Sequence, residues 1–248
     1  SQKVNFHRSG DSLLVDLDKP YGTGDTLDFR ISYSVTSPKK GLYFIQPDSG
    51  YPEKHWQAWS QGEPEDNHNW FPCYDFPNDK STSEMIVTVP DSLTAISNGT
   101  LIDVRNNRDH HTVTYHWLES KPHPSYLISL VVGQYTVVRD SWGDLPITHY
   151  VYRDQERDAM RSFGKVPAML EFFSVQTGYR YPWEKYGHAV VQDFFYSGEE
   201  NVSVSTLTDR TIHDSRAHLD NSSDALVAHE LAHQWFGDLV SFRDWSHA

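Results

Sequence analysis

Along residues 26–35, TLDFRISYSV, the apolar side chains Leu27, Phe29, Ile31, Tyr33 and Val35 alternate with mostly polar neighbours. A period of two is what a half-buried strand requires, so the spacing predicts a strand there. The same reading covers SLLVDL (12–17), GLYFIQ (41–46), EMIVTVP (84–90), TAISNGTLIDV (94–104), HTVTYHWL (111–118), SYLISLVVGQYTVV (125–138) and ITHYVY (147–152). Turn formers such as Asp48-Ser49-Gly50, Asn98-Gly99 and Asp144 to Pro146 separate these runs. Many strands at regular spacing predict a sandwich-like β module.

The pattern changes near Asp154. From there to Thr177 the residues Met160, Phe163, Val166, Leu170 and Phe173 recur every three or four positions, which is helical, with Pro167 placed to split or kink the run. Two strand-like pieces follow, HAVVQDFF (188–195) and ENVSVSTL (200–207). A last helix is predicted from Asp224 to Phe236, with Ser222 or Ser223 as N-cap and Gly237 as its stop. The fold class is therefore α+β, in two domains: 1–152, all β, and 153–248, mixed.

Composition narrows the function. The formal net charge of −13 argues against nucleic acid, which needs a basic surface. No stretch approaches eighteen consecutive apolar residues, so this chain has no predicted membrane span. A single cysteine, Cys73, allows no internal disulfide, and its setting among aromatics and prolines suits a small buried hydrophobe better than a nucleophile. The sequons at Asn98, Asn201 and Asn221 are too short to imply secretion.

The chemistry is concentrated in the last helix. Positions four apart on a helix differ by about 400° of rotation, so His229 and His233 project from one side and can converge on one ion. Neutral imidazole nitrogens suit Zn2+. Glu230, at the edge of that face, can take a proton from water that the ion acidifies. Ala225, Leu226, Ala228, Leu231, Ala232, Trp235 and Phe236 predict a buried helix, where two histidines and a glutamate need a reason to be present. A hydrolytic zinc takes three protein ligands and keeps one position open. Asp238, Asp244 and His247 follow in the sequence, none at a spacing that makes it a ligand.

HELAHQWFGDLV (229–240) resembles the zinc helix of the aminopeptidase N family of zinc metallopeptidases. YSGEENVSVSTL (196–207) is similar to that family's G-x-M-E-N segment and following strand. The stretch from Trp59 to Pro90, with SQGEP and FPCYDFP, resembles its T-Q-F-E and F-P-C-x-D-x-P region. SYLISLVVGQY and YRYPWEKYGHAVVQDFF also fit. The resemblance implies an N-terminal β-domain, sandwich- or saddle-like, followed by the first part of a thermolysin-like catalytic domain. It also implies one Zn2+, and peptide substrates with a free N-terminus. Its third zinc ligand is a glutamate after eighteen spacer residues. Only fifteen residues follow His233, so that ligand is expected four positions past Ala248, and the 248-residue chain is expected to be inactive by itself.

In the family's register Glu200 is the residue that binds the substrate's α-ammonium, while Glu199 stands at the usual Met position and Ser197 at the first Gly. Gln61 aligns with a glutamine that reaches the first specificity pocket, and the backbone about Gly198 is expected to donate to a substrate carbonyl. Alternation along a strand would turn Glu199 and Glu200 to opposite faces, leaving Glu199 solvated or turn-facing, although a second carboxylate could also favour basic N-terminal residues. Three rivals remain at this point: an endopeptidase, an epoxide hydrolase on the same scaffold, and a degenerate binding scaffold.

Overall fold

The computed structural model describes residues 3–247. Ser1, Gln2 and Ala248, the outer ends of the two expected domains, lie outside the described residues. By its contacts the chain divides into two units, 1–34 and 35–248. The first holds an antiparallel hairpin, β1 (Phe6–Ser9) and β2 (Ser12–Val15), turned at Gly10, whose φ of +59° a glycine adopts without steric cost.

The strand expected at 26–35 does not form. Leu27, Phe29, Ile31, Tyr33 and Val35 remain 38–54% exposed and no ladder runs along them. Alternation marks a face but supplies no neighbour, and a strand exists only where another satisfies its N–H and C=O groups.

In the second unit β3 (Leu42–Ile45), β4 (Gln57–Ser60), β5 (Lys80–Pro90), β6 (Thr94–Ser97), β7 (Thr100–Asn107), β8 (Thr112–Pro124) and β9 (Leu130–Gly133) form two sheets. Their orders are β3-β4-β9-β6 and β5-β8-β7, antiparallel throughout. The expected strand 94–104 is divided at Asn98-Gly99, where Gly99 takes φ +73° and approaches the Leu118 carbonyl too closely for any side chain. β10 (Thr136–Trp142) and β11 (Leu145–Val151) then pair and enter a third sheet.

Two helices follow, α1 (Glu156–Phe163) and α2 (Val166–Thr177), with the break at Gly164-Lys165. Pro167 falls in the first turn of α2, where its missing N–H leaves no bond unmade. β12 (Tyr186–Val191), β13 (Gly198–Glu199) and β14 (Ser205–Thr208) complete the third sheet in the order β10-β11-β12-β14-β13, with β11-β12 and β12-β14 parallel. This sheet joins strands from both sides of residue 152. The last helix is α3 (Asp224–His233).

β12 is buried on both faces, as a parallel central strand must be. Tyr186 and Val190 pack with Phe163, Leu170, Val227 and Leu231 of the three helices, whereas Ala189 and Val191 pack with Trp59, Ile96 and Val131 of the four-stranded sheet. The architecture is α+β, β-rich first and mixed afterwards. The packing clamps β12, and with it β14 and β13, between α3 and the antiparallel sheet that carries Gln57–Ser60.

Candidate active site

Ser223 precedes α3 but gives it no side-chain cap; its hydroxyl instead donates to the Thr211 carbonyl, while the Ser222 hydroxyl accepts from the Asp224 N–H at 3.1 Å. The helix closes at His233, three residues before its expected end. The N–H groups of Gln234 and Trp235 bond three residues back, and Gly237 follows with φ +129°. The helix is buried on one face through Val227, Glu230 and Leu231, but His229 is exposed and His233 half-buried, so the expectation of an all-round buried helix is corrected. Small residues at 225, 228 and 232 admit close packing without forcing it.

The two imidazoles meet edge to face at 88°, and their Nε2 atoms lie 3.1 Å apart. Two nitrogens on one tetrahedral zinc stand about 3.3 Å from each other, so the pair fits the ion. His233 Nδ1 faces the Phe236 carbonyl at 3.0 Å, which fixes the proton on Nδ1 and leaves Nε2 free to ligate. Among the described residues no third His, Cys, Asp or Glu completes a three-ligand group with them. Asp238 is fully buried with neither oxygen partnered, and burial together with Glu200 and Glu199 holds its carboxyl well above the usual range. Asp244 is engaged by His247 and Ser246.

Glu230 is 3% exposed and lies against β13. A Cβ on Gly198 would stand 2.1 Å from Glu230 Oε1 and 2.9 Å from its Cγ, so a side chain there would displace the Glu230 carboxylate. Burial first, then the charges of Glu200 and Glu63, push the Glu230 carboxyl up to about 8.

Carboxylate oxygens of Glu63, Glu199 and Glu200 all lie within 4.8 Å of one another. Here the alternation argument is corrected. β13 is only two residues long and ends at Glu199, so nothing turns Glu200 to the opposite face, and both acids reach one cluster. Nor is Glu199 solvated: it is 2% exposed, its Oε2 accepts from Gln61 Nε2 at 3.0 Å, and its Oε1 accepts from the Glu63 N–H at 3.3 Å. Gln61 is itself 1% exposed and also donates to the Glu63 carbonyl. Glu200 Oε1 accepts from the Tyr126 hydroxyl at 3.3 Å.

Two residues that periodicity could not single out hold this arrangement. Gln234, fully buried just after α3, donates to the Glu200 carbonyl at 2.9 Å and accepts from the Ser203 N–H and the Tyr181 hydroxyl. Asn201 accepts from Thr206 Oγ1 and closes the turn between β13 and β14. Phe195 and Tyr196, beside the site in sequence, are half exposed and packed on each other. Cys73 is half-buried, and burial with Asp75 pushes its thiol up to about 12, which disqualifies it as a nucleophile at neutral pH.

Residues 2–127 match the peptidase M1 N-terminal domain, and residues 161–248 match the peptidase family M1 domain. Aminopeptidase M1 of Arabidopsis thaliana is 30% identical over 99% of this chain and 28% of its own length. Aminopeptidase 2, mitochondrial, of Saccharomyces cerevisiae is 31% identical over 88% of this chain and 23% of its own. Transcription initiation factor TFIID subunit 2 of Danio rerio is also similar, 26% identical over 87% of this chain and 18% of its own. The chain spans between 18% and 38% of the length of these and other curated relatives. With both family domains matched in order, and the H-E-x-x-H helix lying within the second, the chain belongs to the M1 peptidase family.

Proposed function

We propose that the full-length protein is a zinc aminopeptidase that releases N-terminal residues from peptides. The observation that carries this reading is the convergence of His229 and His233 to 3.1 Å beside Glu230, with the Glu63, Glu199 and Glu200 carboxylates gathered next to them. On this reading residues 1–152 belong to the N-terminal β-domain and 153–248 to the first part of the peptidase domain. On the same reading a glutamate completes the zinc ligands with His229 and His233.

His229 and His233 hold the ion, which when bound supplies Lewis-acid polarisation of a carbonyl and acidification of water. Glu230 removes a proton from the attacking water and returns it to the leaving amine. Glu200, with Glu63 beside it, binds the α-ammonium by charge-assisted hydrogen bonds and so places the first peptide bond, and no later one, at the reacting centre. Gln61 closes that pocket from the side of the antiparallel sheet, and the backbone at Gly198 lies where an extended substrate can pair.

The test compares a free-amine peptide with its N-acetylated form, using the zinc-loaded full-length protein. Acetylation removes a charge-assisted contact of about 3 kcal/mol, so kcat/KM should fall roughly a hundredfold. Equal rates would discard the ammonium clamp in favour of an endopeptidase. Ser197 and Glu199, which depart from the family pattern, favour a binding scaffold as second reading; that reading requires neither stoichiometric zinc nor cleavage by the full-length protein.

A further inference from the structure

Glu199 is an acid where the family pattern has an apolar residue, and it lies inside the molecule. It is 2% exposed, and Glu63, Glu199 and Glu200 take part in no ion pair among the described residues. The charged or titratable groups around it are Glu63 from the loop after β4, Tyr126, Glu200 next in the chain, Glu230 from α3 and Asp238 beyond it. A third anion beside two others, with no cation to neutralise it, is costly unless it does something besides bind charge.

Its hydrogen bonds say what that is. Both oxygens are occupied by donors from one loop: Gln61 Nε2 on Oε2 and the Glu63 N–H on Oε1. Gln61 in turn donates to the Glu63 carbonyl, so Glu63 is gripped at both of its backbone polar groups. The loop comes from the antiparallel sheet and Glu199 from β13 of the mixed sheet, so these bonds join two separate elements at the site.

We propose that Glu199 is a positioning residue of the ammonium pocket: it anchors the Gln61–Glu63 loop to β13, so that the Glu63 and Glu200 carboxylates meet the substrate's amine together. The inference rests on the aminopeptidase reading and adds to it a residue that does not itself touch substrate. Burial, reinforced by Glu200 and Glu63, holds the Glu199 carboxyl well above the usual carboxylate range. An apolar side chain at 199 fills the same space but leaves the Glu63 N–H without its acceptor and the Gln61 amide with the Glu63 carbonyl alone. Glutamine keeps the shape and one acceptor, so it leaves only one of the two donors without its partner.

The experiment uses zinc-loaded full-length protein and two inhibitors, leucine hydroxamate and the same hydroxamate lacking its α-amine. Both chelate the ion, so the ratio of their inhibition constants isolates what the amine contributes. In Glu199→Met and Glu199→Ala that ratio should shrink about tenfold, and in Glu199→Gln about threefold or less. KM for a leucyl anilide should rise in parallel, with kcat changed less than about threefold. Zinc content and thermal midpoint identify a variant that has not folded, in which case the isosteric Glu199→Gln and a Gln61→Leu variant carry the test. An unchanged ratio in folded, zinc-loaded variants overturns the proposal. So does equal weakening of both inhibitors, which would make Glu199 a general structural residue. If the wild type itself gains nothing from the amine, the aminopeptidase reading has failed instead.

Discussion

At the level of single residues, the contact between Gly198 and Glu230 sets the tightest constraint on the chemistry. A methyl group at 198 would overlap the Glu230 carboxylate, with Cβ 2.1 Å from Oε1 and 2.5 Å from Cδ, so Glu230 would have to swing out of its place. Gly198→Ala should therefore lower kcat by about a hundredfold, the loss expected of a catalytic group displaced by roughly 1 Å, while zinc remains bound. Retained turnover with normal zinc content would show that Glu230 has room to adjust. Glu230→Gln keeps the shape and removes the base, so it should cost about two to four orders of magnitude in kcat and leave zinc in place; wild-type turnover would refute the base assignment. Both histidines and Glu230 were legible in the sequence, because helical spacing alone sets them on neighbouring faces. The need for glycine at 198 was not, since it arises from an element thirty residues away. Glu199 was misread for a related reason: strand alternation was applied to a strand that ends after two residues.

Among elements, the decisive join is between the end of α3 and the turn that follows β13. Gln234 makes it, bonding the Glu200 carbonyl, the Ser203 N–H and the Tyr181 hydroxyl from one fully buried amide. Gln234→Leu strands a buried carbonyl and a buried N–H, each costing about 1–3 kcal/mol, so the full-length protein should lose about 2 kcal/mol or more in chemical denaturation. Gln234→Glu retains the acceptor for Ser203 and Tyr181 and, with its buried carboxyl protonated, one donor for the Glu200 carbonyl, losing only the longer bond to Asn201, so its loss should be smaller. If both variants denature with the wild type, the join is not what holds the turn. Nothing in periodicity distinguishes Gln234 from a surface amide, whereas the helix that ends beside it was plain. The same limit explains 26–35, where the pattern was right for a strand and no ladder formed. It explains Pro167 in the opposite sense: a breaker placed in the first turn starts a helix instead of ending one.

Over the whole molecule, the surplus of acids was legible as a net charge of −13, but which acids lose contact with water was not. Glu119 on β8 is fully buried, and its Oε2, like that of Glu184, is buried without a hydrogen-bond partner. Burial, and then Glu184, push the Glu119 carboxyl up to about 8, whereas at Glu184 burial is outweighed, the Ser120 hydroxyl donating to its Oε1, and the carboxyl lies below the usual range. Lys185 nearby, also buried, is brought down to about 7 by desolvation. Between pH 5 and 7 the folded chain keeps the Glu119 proton, while the unfolded chain, with an ordinary carboxylate, has released it. The folded state then binds more protons, so stability falls as pH rises across that window. The Glu119 contribution is complete below its unfolded pKa and is lost as pH passes its folded value of about 8. Lys185 is charged in both states over most of the window, so it adds little slope there. Glu119→Gln supplies a permanent donor toward Glu184 and does not titrate. Denaturation midpoints at pH 5, 6 and 7 should therefore decline more steeply for the wild type than for Glu119→Gln, and the two proteins should differ most at pH 7. Parallel profiles would mean that Glu119 ionises in the fold as it does in water, and that water or a cation reaches it through the three-stranded sheet.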